Sequence, residues 1–136
     1  MSNSPKQAAR SAAVRTPGPL ENPMLSFDLN AEIEQLRREG GWQAGRDSKT
    51  LVKHPDFRVV LTVLKSGARL HEHRAAGRIS VQTLAGHIRM HADSKVFDLP
   101  TGHLLALERE IAHDVEALED SSFLLTIAWP ENASNS

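Results

Sequence analysis

Short runs of β-forming residues, separated by turn residues, fill the chain from Trp42 to Trp129. The turn signals recur about every 8–12 residues, a spacing that is typical of antiparallel sandwiches and barrels. About eight or nine strands are predicted in this way, and closing them into a barrel removes the exposed edges that so many strands would present. The sequence therefore predicts an all-β fold.

The predicted strands follow one another without a repeated unit and without alternating helices. In chain order they are Lys49 to His54, Phe57 to Leu64, a segment around His71, Ile79 to Ala85, His87 to His91, Lys95 to Leu99, Leu104 to Glu108, Ala112 to Leu118 and Phe123 to Trp129. Pro55-Asp56 and Ala92-Asp93-Ser94 are turn signals between neighbouring strands.

One helix is predicted ahead of the strands, over residues 28–39. Asp28 or Asn30 can cap its first turn, and its apolar residues fall on one narrow stripe. The pair Gly40-Gly41 is expected to end it. A helix with so narrow an apolar stripe is expected to lie on the outside of a larger body.

A chain of 136 residues is long enough for one domain, which we expect over residues 27–130 with the barrel over 42–129. Residues 1–26 are rich in Ser, Ala and Pro and predict a disordered tail, and residues 131–136 predict a short polar one. An organellar transit peptide has a similar composition, and that alternative stays open.

The overall charge limits the classes of partner. The net charge is -1, with acidic and basic residues interspersed, which argues against nucleic-acid and membrane-surface binding. No apolar run approaches the roughly 18 residues of a membrane-spanning helix, and no signal-peptide core follows the start, so a cytoplasmic protein is expected. The chain has no cysteine, so any metal would be held by nitrogen and oxygen atoms.

His71 and His73 are the strongest candidates for chemistry, because they lie two residues apart on a predicted strand. On a regular strand both side chains point to one face, about 7 Å apart along the backbone, and can converge on one ion. A third ligand must come from elsewhere, and His113 lies in another predicted strand. The remaining histidines lie in or beside turns and are expected at the surface: His54, His87, His91 and His103.

The spacing around these histidines resembles the two motifs of the cupin superfamily, small RmlC-like jelly-roll barrels with a metal site in the mouth. The residues that match the first motif are Gly67, His71, His73 and Gly86. Those that match the second are Gly102 and His113, with Glu108 and Glu110 in place of its proline and glycine. The resemblance covers about residues 45 to 129 and implies a cupin-type jelly roll with one flanking helix at the N-terminal side.

The resemblance also implies a divalent first-row metal, one of Fe, Ni, Cu, Mn or Zn, held by His71, His73 and His113. The glutamate of the first motif is missing, because its position falls on Ile79. The expected ligand pocket is formed by Ile79, Val81, Thr83 and Arg78. Arg69, Arg74 and Arg78 cluster in sequence around the expected mouth, where solvated loop charges and an anion site are both consistent with them.

Two functions follow from this pattern. The three histidines favour a metal-dependent oxygenase or isomerase that acts on a small molecule, whereas Ile79 favours a non-catalytic cupin that binds a small ligand as a sensor or carrier. The resemblance also implies a homodimer, and the apolar faces of Val59 to Leu64 and Phe123 to Trp129 independently favour one. The sequence identifies no catalytic residue.

Overall fold

The computed structural model describes residues 23–130. Most of the predicted N-terminal tail (residues 1–22) and the whole predicted C-terminal tail (131–136) lie outside the described residues. Neither helix within residues 23–130 is long and apolar enough to cross a membrane.

The predicted helix is present and is followed by a shorter one. Helix α1 spans Leu29–Arg37, and the side chain of Asp28 caps it by accepting a hydrogen bond from the Ala31 N–H at 3.1 Å. Helix α2 spans Gly40–Gln43, so the two glycines predicted as a helix end instead begin a second helical turn. The prediction was wrong there because the chain turns at Arg38 and Glu39 before the glycines are reached.

Nine strands follow, close to the predicted bounds. They are β1 (Arg46–His54), β2 (Phe57–Leu64), β3 (Arg69–His73), β4 (Arg78–Ala85), β5 (His87–Ala92), β6 (Lys95–Pro100), β7 (Leu104–Leu107), β8 (His113–Ala117) and β9 (Ser121–Ala128). They form a five-stranded sheet in the order β1-β2-β9-β4-β7 and a four-stranded sheet in the order β3-β8-β5-β6. Each paired strand is antiparallel to its neighbour, which confirms the all-β prediction.

The main core lies between the two sheets. Alternate residues of the strands point into it, as on β5, where Ile88, Met90 and Ala92 are buried and the residues between them are half-buried. The other fully enclosed members come from both sheets: Leu64, Val81, Val115, Ala117 and Phe123. Because strands from both sheets share one apolar interior, the positions of β3, β4 and β8 around it are fixed relative to one another.

Helix α1 covers part of the outer face of the five-stranded sheet. Ile33 and Leu36 of the helix pack against Leu61 and Val63 of β2 in a second buried cluster. The predicted dimer interface included this outer face of β2, so α1 occupies some of the surface on which that expectation rested. The homodimer itself stays a prediction.

Gly86 connects β4 to β5 in a conformation that excludes other residues. Its φ of 86° lies in the left-handed region, and a Cβ atom there would collide with the Asp120 carbonyl oxygen and the Ser121 Oγ. Gly102 has a similar φ of 90°, but a Cβ atom there would meet open space. A substitution at Gly102 therefore introduces backbone strain alone, whereas one at Gly86 introduces both backbone strain and a steric collision.

We predict that Gly102→Ala lowers the free energy of unfolding by about 1–2 kcal/mol, through backbone strain alone. Gly86→Ala should cost at least about 1 kcal/mol more, because the added methyl group must also displace the backbone of the turn before β9. Urea unfolding followed by circular dichroism measures both variants. If both variants lost the same free energy of unfolding, the methyl group at position 86 would meet no steric collision, and the close contacts described around Gly86 would be contradicted.

Candidate functional site

A bulge in β3 determines which histidines face each other. β3 pairs with β8 through Arg69 opposite Glu116 and Leu70 opposite Val115, and the register then shifts so that His73 lies opposite His113. Three residues of β3 are thus matched by two residues of β8. One extra residue in a strand of this kind changes the alternation of the side chains that follow it.

The bulge brings two of the three predicted histidines together. The imidazole rings of His73 and His113 are 4.3 Å apart between centroids and are tilted by 60°. His71 is exposed and does not line the cavity beside this pair. The expectation that regular alternation places His71 and His73 on one wall is wrong, because the strand is not regular between Leu70 and His73.

Both rings of the pair are held by main-chain carbonyl groups. The Nδ1 atom of His113 is 2.9 Å from the Ile111 oxygen, and that of His73 is 3.2 Å from the His71 oxygen. A carbonyl oxygen only accepts, so Nδ1 carries the proton in each ring and donates it. In the neutral ring the second nitrogen, Nε2, is then left with a lone pair.

His113 is buried, with 4% of its surface exposed, whereas His73 is exposed. Burial lowers the pKa of His113 below its ordinary value of 6.5; the hydrogen bond to Ile111 opposes this shift, and the nearby His73 adds to it. At neutral pH His113 is therefore uncharged, and its Nε2 is an acceptor or a metal-binding atom.

The histidine pair borders a cavity of about 300 Å³ at one end of the barrel. Its polar side consists of His73, Arg74 and His113. Its apolar side is formed by six residues: Ala75, Ala76, Ile79, Leu125, Ile127 and Trp129. Two polar rings thus stand at the edge of an otherwise apolar space, which is the common composition of small-molecule sites.

Only one of the four predicted pocket residues lines this cavity. Ile79 does, and it is 5% exposed. Val81 and Thr83 follow it on the same face of β4 but lie among the fully buried core residues, where the Thr83 hydroxyl donates to the Leu99 carbonyl at 2.8 Å. The prediction included them because they share the face of Ile79; they lie deeper along the strand than the cavity reaches.

Arg78, the fourth predicted pocket residue, binds a carboxylate outside the cavity. Its Nε lies 3.0 Å from both carboxylate oxygens of Glu108. The hydrogen bond from Arg78 is the main cause that holds the pKa of Glu108 below its ordinary value. The side chain is therefore engaged in an exposed ion pair, and it is not among the residues that line the cavity.

From the sequence, the residues of the cavity's apolar wall on β9 are expected in the core or an interface, and Arg74 is placed at the mouth with Arg69 and Arg78 but not in the pocket. Leu125, Ile127 and Trp129 belong to β9 and the residue after it, and their alternation on the strand is a signal that could have placed the first two beside Ile79. Trp129 is also stacked on Arg58, whose guanidinium carbon lies 5.2 Å from the centroid of its ring.

The two loops at the cavity mouth are joined by hydrogen bonds. The Glu110 N–H donates to the Ala75 carbonyl at 2.9 Å, and Arg74 Nη1 donates to the Glu110 carbonyl at 2.8 Å. Glu110 has a φ of 64°, in the left-handed region that favours glycine. It occupies the position where the second motif has a glycine, and its backbone is in a conformation that glycine adopts readily.

The resemblance implies a metal, and the donor atoms allow its fit to be tested. His73 and His113 offer two Nε2 atoms, and hydrogen-bonded Nδ1 atoms of this kind are usual behind metal-bound histidines. A catalytic metal site generally has three protein ligands. Within residues 23–130 no group of three or more His, Asp or Glu side chains could hold a metal ion, and Ile79 supplies no donor. As placed, these residues do not complete a metal site.

Comparison with known proteins settles the fold. No protein-family model and no curated protein matches the chain. Solved structures do match, and one is a cupin superfamily protein from Desulfitobacterium hafniense, 16% identical, with a TM-score of 0.61 over 62% of this chain and 78% of that one. The chain has the cupin fold.

Further cupin and enzyme structures are similar in shape. The cupin 2 conserved barrel domain protein from Leptotrichia buccalis is 28% identical, with a TM-score of 0.63 over 71% of this chain and 45% of that one. Salicylate 1,2-dioxygenase from Pseudoaminobacter salicylatoxidans is 11% identical, with a TM-score of 0.70 over 80% of this chain and 34% of that one. The predicted cupin fold is thereby confirmed.

Burial of His113 predicts a pH dependence of the free energy of unfolding for this protein. Because its pKa is lower in the folded chain than the ordinary 6.5, the unfolded chain binds a proton more readily. The folded state therefore keeps its full stability, as far as His113 is concerned, above pH 6.5. As the pH falls from 6.5 toward the lower pKa of the folded chain, protonation of the unfolded chain reduces the free energy of unfolding. His113→Gln should therefore show a flatter decline in stability than the wild type on acidification below pH 6.5.

Urea midpoints measured from pH 7.5 to pH 5 test this prediction, and His103→Gln, at an exposed position, is the control. The control should follow the wild-type curve. A His113→Gln curve parallel to the wild type would show that His113 is not kept neutral by burial.

Proposed function

We propose that this cupin binds a small organic molecule in the cavity beside His73 and His113, as a sensor or carrier. The observation that supports it is the pair of imidazoles that line the cavity and are fixed through Nδ1, which leaves Nε2 free, together with Ile79 in place of the motif's glutamate. Each feature has a counterpart in the expected ligand, which must offer hydrogen-bond donors at one end and apolar surface at the other.

The imidazole pair suits a hydroxyl or amine group of the ligand. Such a group would donate to an Nε2 atom, which is an acceptor while the ring is neutral. A hydroxyl moved from water into an apolar cavity without a partner is strongly disfavoured, so the acceptor selects for ligands that place a donor there. The main-chain hydrogen bonds hold the rings in position before the ligand arrives.

The walls of the cavity suit the rest of the ligand. Ile79, Leu125 and Ile127 present branched apolar side chains, and Trp129 adds an aromatic surface. A volume of about 300 Å³ lies at the small end of the usual range for ligand sites. One aromatic ring with small substituents matches this space.

The structural neighbour salicylate 1,2-dioxygenase, in a structure of its adducts with gentisate, supports the choice of hydroxylated aromatic probes. Phenol is the simplest of these, and anisole is its counterpart without a donor. We predict that phenol binds about fivefold or more tightly than anisole, which corresponds to about 1 kcal/mol for one hydrogen bond. Nuclear magnetic resonance titration of the full-length protein measures both affinities and locates the probe.

Two variants make the test specific. His113→Leu removes one of the two acceptors and should reduce the preference for phenol, whereas His71→Ala, at an exposed position outside the cavity, should leave it unchanged. Failure of both probes to bind, or an equal affinity for phenol and anisole, would refute the proposed function.

The second candidate is a metal-dependent oxygenase or isomerase, and the specific observation in its favour is again the pair of Nε2 lone pairs. It requires His71 to turn toward His73 and His113 and to complete a site for Fe, Ni, Cu, Mn or Zn. The chemistry would then be activation of a small oxygenated molecule by the metal. His71 is therefore essential in the metal-dependent candidate and dispensable in the ligand-binding one.

Thermal melts with and without Zn²⁺ or Ni²⁺ distinguish them. The ligand-binding proposal predicts no metal-dependent shift in the wild type. It also predicts that Ile79→Glu melts lower without metal, because a carboxylate is buried at a position that is 5% exposed, and is restored by metal that binds the new oxygen ligand. A shift in the wild type that His71→Ala removes would establish the second candidate instead.

A further inference from the structure

Among residues 23–130, Arg74 is the one Lys, Arg, Asp or Glu side chain that lines the cavity, and it forms no ion pair within that range. Resting on the proposed function, we infer that the ligand carries a carboxylate and that Arg74 binds it. Of the residues that line the cavity, none is acidic, and the guanidinium group of Arg74 brings a positive charge. A cavity with this balance attracts anions and disfavours cations.

The two neighbouring arginines of the mouth are already paired. Arg78 holds the carboxylate of Glu108, with Nε at 3.0 Å, and Arg69 Nη2 lies 3.6 Å from the Asp114 carboxylate. Arg74 forms no ion pair with any residue between 23 and 130, and its hydrogen bond goes to an uncharged group, the Glu110 carbonyl. One site in the arginine cluster is therefore left for an external anion.

Arg74 is also held in position. Its Nη1 donates to the Glu110 carbonyl at 2.8 Å, and the Glu110 N–H in turn donates to the Ala75 carbonyl at 2.9 Å. A guanidinium group has five N–H donors, so this contact leaves donors available to a ligand. Fixing the side chain before binding reduces the conformational entropy that is lost when the ligand arrives.

A carboxylate is the anion that fits this arrangement. The planar guanidinium group matches the two oxygens of a carboxylate in a pair of parallel hydrogen bonds. Together with the Nε2 acceptors and the apolar wall, it defines the ligand as a small hydroxy acid with a compact apolar or aromatic body. The carboxylate would face Arg74, and the hydroxyl group would face the imidazole pair.

The test compares meta-hydroxybenzoate with meta-hydroxybenzamide, which has the same shape and hydroxyl group but no charge. Titrations of the full-length protein use the wild type, Arg74→Gln and the matched control Arg78→Gln, which removes a neighbouring arginine outside the cavity. We expect the wild type to bind the acid about fivefold or more tightly than the amide. Arg74→Gln should abolish this preference and keep the affinity for the amide, whereas Arg78→Gln should retain both.

Equal affinity for acid and amide in the wild type overturns the inference, and so does a preference that Arg74→Gln leaves intact. In both cases the binding of phenol and of the amide still supports the proposed function, so the two can fail separately. If Arg74→Gln does not fold, the salt dependence of binding to the wild type tests the inference instead. The ratio of the affinities for the acid and the amide must then decrease between 20 mM and 500 mM NaCl, because salt screens an exposed guanidinium group. A ratio that does not depend on salt refutes the role of Arg74.

Discussion

The site depends on the extra residue in β3. Without the bulge between Leu70 and His73, regular pairing with β8 would keep the strands in the register set by Leu70 and Val115, and His73 would not lie opposite His113. With it, Leu70 still packs against the core while His73 reaches the cavity. The same irregularity leaves His71 exposed, so one backbone feature brings two histidines together and separates the third from them.

The rest of the cavity follows from where this pair lies. Because both Nδ1 atoms donate to main-chain carbonyls, the rings offer acceptors toward the cavity, and burial keeps His113 neutral so that its acceptor persists at physiological pH. Ile79 occupies the position where the motif has a metal-binding glutamate, and it contributes an apolar side chain to the cavity wall. An interior with acceptors, apolar walls and one uncompensated cation at its edge is chemically suited to a small hydroxy acid.

Much of this arrangement could be predicted from the sequence, because strands and turns have local signals. The bounds of β2 agree with prediction. Gly86 and Gly102 have positive φ angles, a conformation for which a turn often requires glycine. The bulge could not be predicted, since it depends on the pairing of β3 with a strand 40 residues away in sequence. The pairing of the arginines was equally inaccessible: the three look alike in sequence, and only tertiary structure shows that Arg69 and Arg78 have carboxylate partners.

The central claim is that His73 and His113 carry their protons on Nδ1 and present Nε2 lone pairs to the cavity. Two-dimensional ¹H–¹⁵N correlation spectroscopy of the imidazole nitrogens at pH 7.5 measures this directly, because a protonated and an unprotonated ring nitrogen resonate far apart. We expect a proton on Nδ1 in both rings and a neutral ring for His113. A proton on Nε2, or a His113 ring that is charged at this pH, would contradict it.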